Sequence, residues 1–438
     1  MCFGIILRMK ILGCLAVSLC LFSCLAVCGE GMDLQREIDA AAERGGGVVR
    51  VAAGEREVRP FVLKSNVTLE LADGAVLLAS TNIADYAVAL GERCFVGAEG
   101  ATNIAIVGRG VIDGRGAVFR EIDGLKGESQ PQALPVLMRF TRCRDLRLED
   151  FTYRCGAAWG CHLRNCDGVA MRRVKCFNHV NNTNDGIDIE SANVTIEDCD
   201  IDADDDAIAF KTESDKSFAV TNVTVRNCRL ASCCNAVKFG TGSYADFRDV
   251  TIENCSLVRA KGNHRFDWWK SIPGVTDRIC GIAALALEVV DGGRMDNIVV
   301  RNIEMDGYQT PIFVRLGRRR DPPAGGETYL RNVLIENFHG VADSRIASSI
   351  TGVPGLRPHG ITLRNVSLVV PGGGTKEDAE ARVPEMERAY PESFMFDKMP
   401  LPAYGFYVRH ADGVVFENVD VKTVSPDARK PLVFDDCR

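Results

Sequence analysis

From residue 66 onward, apolar and polar positions alternate in short bursts, and each burst repeats the same phrase. Asn193-Val-Thr-Ile-Glu-Asp-Cys-Asp-Ile201 is followed by Asn222-Val-Thr-Val-Arg-Asn-Cys-Arg-Leu230, Asp249-Val-Thr-Ile-Glu-Asn-Cys-Ser-Leu257 and Asn297-Ile-Val-Val-Arg-Asn-Ile-Glu-Met305. Further copies begin at Asn332, Gly360 and Gly413, and weaker ones at Asn66, Asn103, Asp145 and Gly168. The closest starts lie 23 to 29 residues apart, and longer intervals mark inserted loops. A period of two, rich in Val, Ile and Thr, predicts strands. A fixed phrase at this interval predicts a solenoid. No amphipathic helix fits between successive copies. The expected fold is therefore all-β: a single-stranded right-handed parallel β-helix with coils stacked about 4.8 Å apart.

Two columns of the phrase sharpen this expectation. Its sixth residue is Asp150, Asp198, Asn227, Asn254, Asn302, Asn337, Asn365 or Asn418. Asn and Asp tolerate the left-handed turn that a coil corner needs, and stacked amides can bond from coil to coil. Its seventh residue is Phe151, Val174, Cys199, Cys228, Cys255, Ile303, Phe338, Val366 or Val419. Cys shares its slot with apolar residues, so it is expected as a small core residue. Thirteen cysteines lie beyond residue 28, an odd number with no CxxC pair. That argues against both a complete disulfide framework and a zinc site.

The ends break the rhythm. Asp33 is expected to cap a helix over residues 34–42, stopped by Gly45, Gly46 and Gly47 and covering the open end of the core. Residues 371–402 read as a long loop folded over one side, with a short helix within 376–389. A second insertion spans about 258–280. Residues 29–438 then form one β-helix domain, expected as a monomer. Ahead of it, Arg8 and Lys10 precede an apolar run over 11–27, then Gly29, Glu30 and Gly31. That pattern is an export signal over residues 1–28. Leu21-Phe22-Ser23-Cys24 resembles a lipoprotein box, so membrane contact is expected only through lipid on Cys24. The expected location is the periplasm, the outer membrane or the exterior. Composition adds two exclusions. With 438 residues, 25% of them charged, the chain is not a disordered one, and a net charge of −7 is not the footprint of a nucleic-acid binder.

Coils can be registered by their apolar strands. Asp185-Gly-Ile-Asp-Ile189 aligns with Asp206-Ala-Ile-Ala-Phe210 and with Asn235-Ala-Val-Lys-Phe239, at offsets of 21 and 29 residues. Stacking brings Asp185 beside Asp206, with Asp204 and Asp205 adjoining. Like charges so close perturb one another's pKa; one carboxyl becomes an acid and an ionised neighbour a base. One outward column reads Glu190, Lys211, Gly240, and later coils extend it with Arg315 and Arg409. The preceding column holds Asp188, Ala209 and Lys238. Cations on that face suit an anionic substrate. His162 lies one coil earlier, as a residue of the cleft border, the core or a turn. Trp268 and Trp269, in the insertion, offer either a sugar-stacking surface or loop packing. Asp204-Asp205-Asp206 lacks the spacing of an EF-hand loop, and no metal or cofactor is expected. Plain turn residues remain the other reading of this cluster.

At these residues the sequence resembles glycoside hydrolase family 28, the polygalacturonases and rhamnogalacturonases. The resemblance runs from about Asp33 to the C-terminus. Gly45–Val51, Pro60–Leu69 and Gly74–Ser80 look like the entry coils of that family. Thr183-Asn184-Asp185-Gly186 approximates its Asn-Thr-Asp-Gly element, and Asp205-Asp206-Ala-Ile-Ala-Phe-Lys211 matches its Asp-Asp element. By that resemblance Asp205 protonates the glycosidic oxygen, while Asp185 and Asp206 activate water, with inversion at the anomeric carbon. The family's Gly-His-Gly falls at Cys234-Asn235-Ala236, so Asn235 stands where its His does. Its Arg-Ile-Lys falls near Gly281-Ile282-Ala283-Ala284, where no basic pair exists. The resemblance implies an acidic plant-type polysaccharide or oligosaccharide as substrate; the residues expected to hold it are Lys211, Asn235, Lys238, Arg315, Arg409, His162 and Trp269. Two other readings share the architecture: a Ca²⁺-dependent polysaccharide lyase, and a carbohydrate-binding β-helix without turnover.

Overall fold

A computed structural model describes residues 33–86, 93–122, 124, 133–262, 281–322 and 326–438, together with the backbone of Ala26–Cys28. The export signal, Cys24, Trp268 and Trp269 lie outside the described residues.

Each recurring phrase forms one strand, turns a corner and forms a second. Val194 pairs in register with Val223, then Val250, Ile298, Val333, Ile361 and Val414 on later coils. Ile201 pairs with Leu230, then Leu257, Met305, Gly340, Leu368 and Val421. A third column runs from Met138 through Cys161, Ile187, Ile208, Val237 and Leu285 to Ile312. Every pairing between the described strands is parallel, so three stacked parallel sheets enclose one core. The molecule is an all-β parallel β-helix. Period two puts alternate residues inside, and Val194, Ile196, Ile201, Ile208, Phe210, Val237 and Phe239 are buried there. Phe210 and Phe239 stack between adjoining coils with centroids 4.2 Å apart.

The corners follow the expected chemistry, and a second column joins them. Asn227, Asn254, Asn302, Asn337, Asn365 and Asn418 all have φ between 51° and 56°. The first residue of the phrase is left-handed too, at Asn193, Asn222, Asp249, Asn297 and Asn332. Asn is among the few residues that visit this region readily. Side-chain amides then bond from coil to coil: Asn302 to Asn254 at 2.9 Å, Asn337 to Asn302 at 2.9 Å, Asn365 to Asn337 at 3.0 Å and Asn418 to Asn365 at 2.9 Å. Cys199, Cys228 and Cys255 are buried core residues, and all twelve described cysteines are free.

The N-terminal helix spans Leu34–Glu43, and the Asp33 carboxylate accepts from the Gln35 N–H at 3.1 Å. It buries Leu34, Ile38 and Ala41 against the first coil. Gly46 follows at φ +125°, and a Cβ there would lie 2.5 Å from the Asn66 carbonyl oxygen, so glycine is required.

Residues 371–402 form a strap across the outer face of the third sheet. Late coils present apolar residues on that face, and Ala283, Ala286, Phe313 and Tyr407 are covered by Val383, Met395, Phe396 and Leu401. The helix in the strap is only Lys376–Ala379, shorter than expected. Its capping box, Thr375 with Asp378, starts a turn that Pro384 and Pro391 prevent from continuing.

Candidate active site

Successive coils bring the acids together. Asp185 ends the turn before the strand Ile187–Glu197; Asp205 and Asp206 end the turn before Ile208–Thr212. The Gly186 N–H donates to the Asp206 carbonyl and the Ala207 N–H to the Asn235 carbonyl, each at 2.9 Å. This places Asp185, Asp206 and Asn235 in the register expected from the apolar strands. Gly186 is needed for close approach: a Cβ there would sit 2.5 Å from the Ala207 carbonyl oxygen. Asn184 braces the turn from inside. Its side-chain oxygen accepts from the Val180 and Asn181 N–H groups, and its amide donates to the carbonyls of Gly156 and Ala158.

The three carboxyls differ in environment. Asp185 and Asp206 are buried, whereas Asp205 keeps partial exposure. Burial pushes the Asp205 carboxyl well above its ordinary value, and the charges of Asp185 and Asp206 push it further. It therefore holds a proton more firmly than a free carboxyl does. Carboxylate oxygens of Asp205 and Asp206 lie within 4.8 Å of each other and of the Cys234 sulfur.

Lys211 is buried and locks this cluster. Its Nζ lies 3.0 Å from Asp185, 2.5 Å from Asp188 and 3.8 Å above the centre of the Trp159 ring. Burial opposes its charge, but Asp185 and Asp188 outweigh that and hold the ammonium well above its ordinary value. Asn235 donates from its side-chain amide to Asp206 Oδ1 at 2.8 Å, and its N–H points to the same oxygen at 3.2 Å. Lys238 lies 4.0 Å from Asp206 and 2.6 Å from Glu392 of the strap.

Three expected substrate contacts prove to have other partners. Arg315 and Arg409 occupy the outward column as expected, in line through Thr351. The strap covers them. Buried Arg315 donates to the carbonyls of Gly352, Glu385 and Met386 at 2.9 to 3.1 Å. Arg409 donates to the Val383 carbonyl at 2.8 Å and pairs with Glu385 and Asp435. Both anchor the strap rather than reaching the acid cluster. His162 is 1% exposed; Arg139 donates to its Nδ1 at 3.2 Å and its Nε2 lies 2.9 Å from Glu190. Burial lowers its pKa, and it braces Glu190 away from solvent. Glu190 in turn accepts from the Glu213 and Ser214 N–H groups, holding the loop after Lys211.

Several neighbours escaped sequence reading. Trp159 under Lys211, Glu288 beside Gly240, and Tyr390 and Glu392 of the strap all adjoin the cluster. Glu288 was legible in principle, because it stands in the outward column between Gly240 and Arg315. Glu392 lies 154 residues from Lys238 in a segment without repeat, so no spacing points to it.

Among the described residues, two groups of side chains are close enough to share a cation: Asp205, Asp206 and Cys234; and His179, Asp204 and Cys233. Each mixes a thiol with carboxylates, unlike the all-oxygen shell that Ca²⁺ takes. His179 is accounted for by charge: its Nε2 lies 2.8 Å from Asp202 and its Nδ1 3.6 Å from Asp204. Burial opposes its charge, but these two carboxylates outweigh it and raise its pKa.

Comparison with known proteins shows the family. The family model described as glycosyl hydrolases family 28 matches residues 48–387. A probable polygalacturonase from Vitis vinifera is 25% identical over 369 residues, which cover 77% of this chain and 70% of that protein. An exopolygalacturonase from Thermotoga maritima superposes with a TM-score of 0.65 at 17% identity, covering 89% of this chain and 87% of its own. A family 28 exopolygalacturonase from Yersinia enterocolitica gives 0.64 at 16% identity, covering 92% and 74%. These structural likenesses bear on fold, and the family match bears on chemistry. The chain belongs to glycosyl hydrolase family 28 and is a polygalacturonase-like glycosidase.

Proposed function

We propose that this protein is an exported, inverting glycoside hydrolase that cleaves pectic or other uronate-containing polysaccharides or their oligosaccharides. The winding is taken as right-handed, as for nearly all parallel crossover connections. One observation carries the reading: a partly exposed carboxyl, Asp205, adjoins two buried carboxylates contributed by neighbouring coils, and they raise its hold on a proton. Asp205 donates its proton to the leaving glycosidic oxygen. Asp185 and Asp206 take the proton of a water that attacks from the other side of the ring. Lys211 fixes Asp185, and Asn235 fixes Asp206 by two hydrogen bonds, so both bases hold their aim without moving. The basic leader over residues 1–28 supports export to the periplasm, the outer membrane or the exterior.

The test is reducing-sugar release from a panel of pectic polysaccharides by wild type and by Asp205→Asn. Release by wild type and its loss in the folded variant supports the assignment. Equal release by both refutes it.

A further inference from the structure

We infer that the sugar ring seated beside Asp206 is a neutral one, and that Glu392 of the strap enforces this choice. The inference rests on the hydrolase reading and names the substrate at the same acid cluster. A uronate ring needs a cation with hydrogen bonds to give. Among the described residues, three cations bear on the acid cluster and its rim, and each already has an acidic partner. Lys211 is held by Asp185 and Asp188 at 3.0 and 2.5 Å. Arg319 grips both oxygens of Asp291 at 2.8 and 2.7 Å. Lys238 has no acid next to it in its own column, which continues as Ala286 and Phe313. The strap supplies one: Glu392 lies 2.6 Å from Lys238, with both side chains buried. Breaking such a pair leaves a charge stranded in the protein, so an arriving carboxylate does not displace it readily.

The surroundings turn the same way. Glu392 Oε2 is 3.5 Å from the Asn235 amide that also bonds Asp206, so two carboxylates already share that donor. Glu288 is fully buried close by, one coil above Gly240. Burial pushes the Glu288 carboxyl well above its ordinary value, so the competitor a uronate meets is Glu392, with the other nearby cations among the described residues engaged. A neutral ring escapes that competition and meets Tyr390 beside the cluster. Tyr390 is 55% exposed, and its hydroxyl is fixed by a 2.8 Å hydrogen bond from Thr241. Lys238 and Arg319 lie over this ring, 5.4 and 5.7 Å from its centroid, so it is held in place as an aromatic surface beside the cluster. The substrate class is thus a neutral glycosyl unit, a hexose, deoxyhexose or pentose, within a uronate-containing chain.

The experiment compares wild type with Glu392→Gln on chromogenic glycosides in matched pairs that differ only at C6, neutral against uronic. The galacto, gluco and manno series are used, with a rhamnoside added. Wild type is expected to prefer the neutral member. Glu392→Gln frees Lys238 to bind a carboxylate, and the uronic-to-neutral ratio of kcat/KM should rise about tenfold or more, the scale of one charged hydrogen bond. A wild-type preference for the uronic member, or a ratio unmoved in the folded variant, overturns the inference. A binding arm covers failure of turnover or of the variant: calorimetric titration of Asp205→Asn, Glu392 intact, with neutral and uronic oligosaccharides. Tighter neutral binding supports the inference even if wild type cleaves nothing, an outcome that sinks only the hydrolase reading; tighter uronic binding overturns it.

Discussion

Asp205 combines partial exposure with a strongly raised pKa, and that combination has two consequences. Replacing it by Asn keeps the shape and removes the transferable proton. Hydrolysis should fall by about two to four orders of magnitude, the usual range for one general acid, while circular dichroism stays that of wild type. The second consequence concerns pH. Because the acid form donates, kcat/KM should decline as pH rises through the elevated pKa of Asp205. The same group affects stability. Its folded pKa lies above its unfolded one, so the folded state binds the extra proton. That contribution is complete below the unfolded value and disappears as pH rises through the folded one. Thermal unfolding of wild type and Asp205→Asn across pH checks this: the variant should gain on wild type toward neutral pH. A constant gap would contradict the assignment.

Among the elements, the corner ladder and the strap can be tested separately. Asn302 has φ 55° and bonds to Asn254 below and Asn337 above. Asn302→Ala pays the left-handed penalty and loses both bonds, for about 1–2 kcal/mol in all. Asn302→Gly loses only the bonds and should cost roughly half as much, as read by urea unfolding. The strap hangs on Arg315, whose guanidinium satisfies three buried carbonyls. Arg315→Met should destabilise by about 2–3 kcal/mol and open residues 371–402 to limited proteolysis. An unchanged digestion pattern would show that the strap is held otherwise. These elements also mark how far the sequence could be read. The Asn and Cys columns repeat at fixed offsets, so strand register and the meeting of Asp185 with Asp206 were legible. The direction of Arg315 and Arg409 was not: the register put them on the right face, but the strap that covers them carries no period.

At the scale of the molecule, the winding makes the site. Coils stacked in parallel carry side chains at offsets of 21 and 29 residues into one cluster, and the sheets beneath give each acid a rigid base. The repeat accounts for the acids and for Lys211 and Asn235 beside them. It does not account for the Lys238–Glu392 pair, which joins the regular coils to an irregular segment. Family membership rests on residues 48–387, which include the acids, both lysines and about half of the strap, but not Glu392. The most direct test of the central claim is proton NMR of the sugar released in the first turnovers from a pectic oligosaccharide. A saturated product with the anomeric configuration opposite to that of the cleaved bond, absent with Asp205→Asn, is the predicted result. A retained configuration, or an unsaturated sugar end, would contradict it.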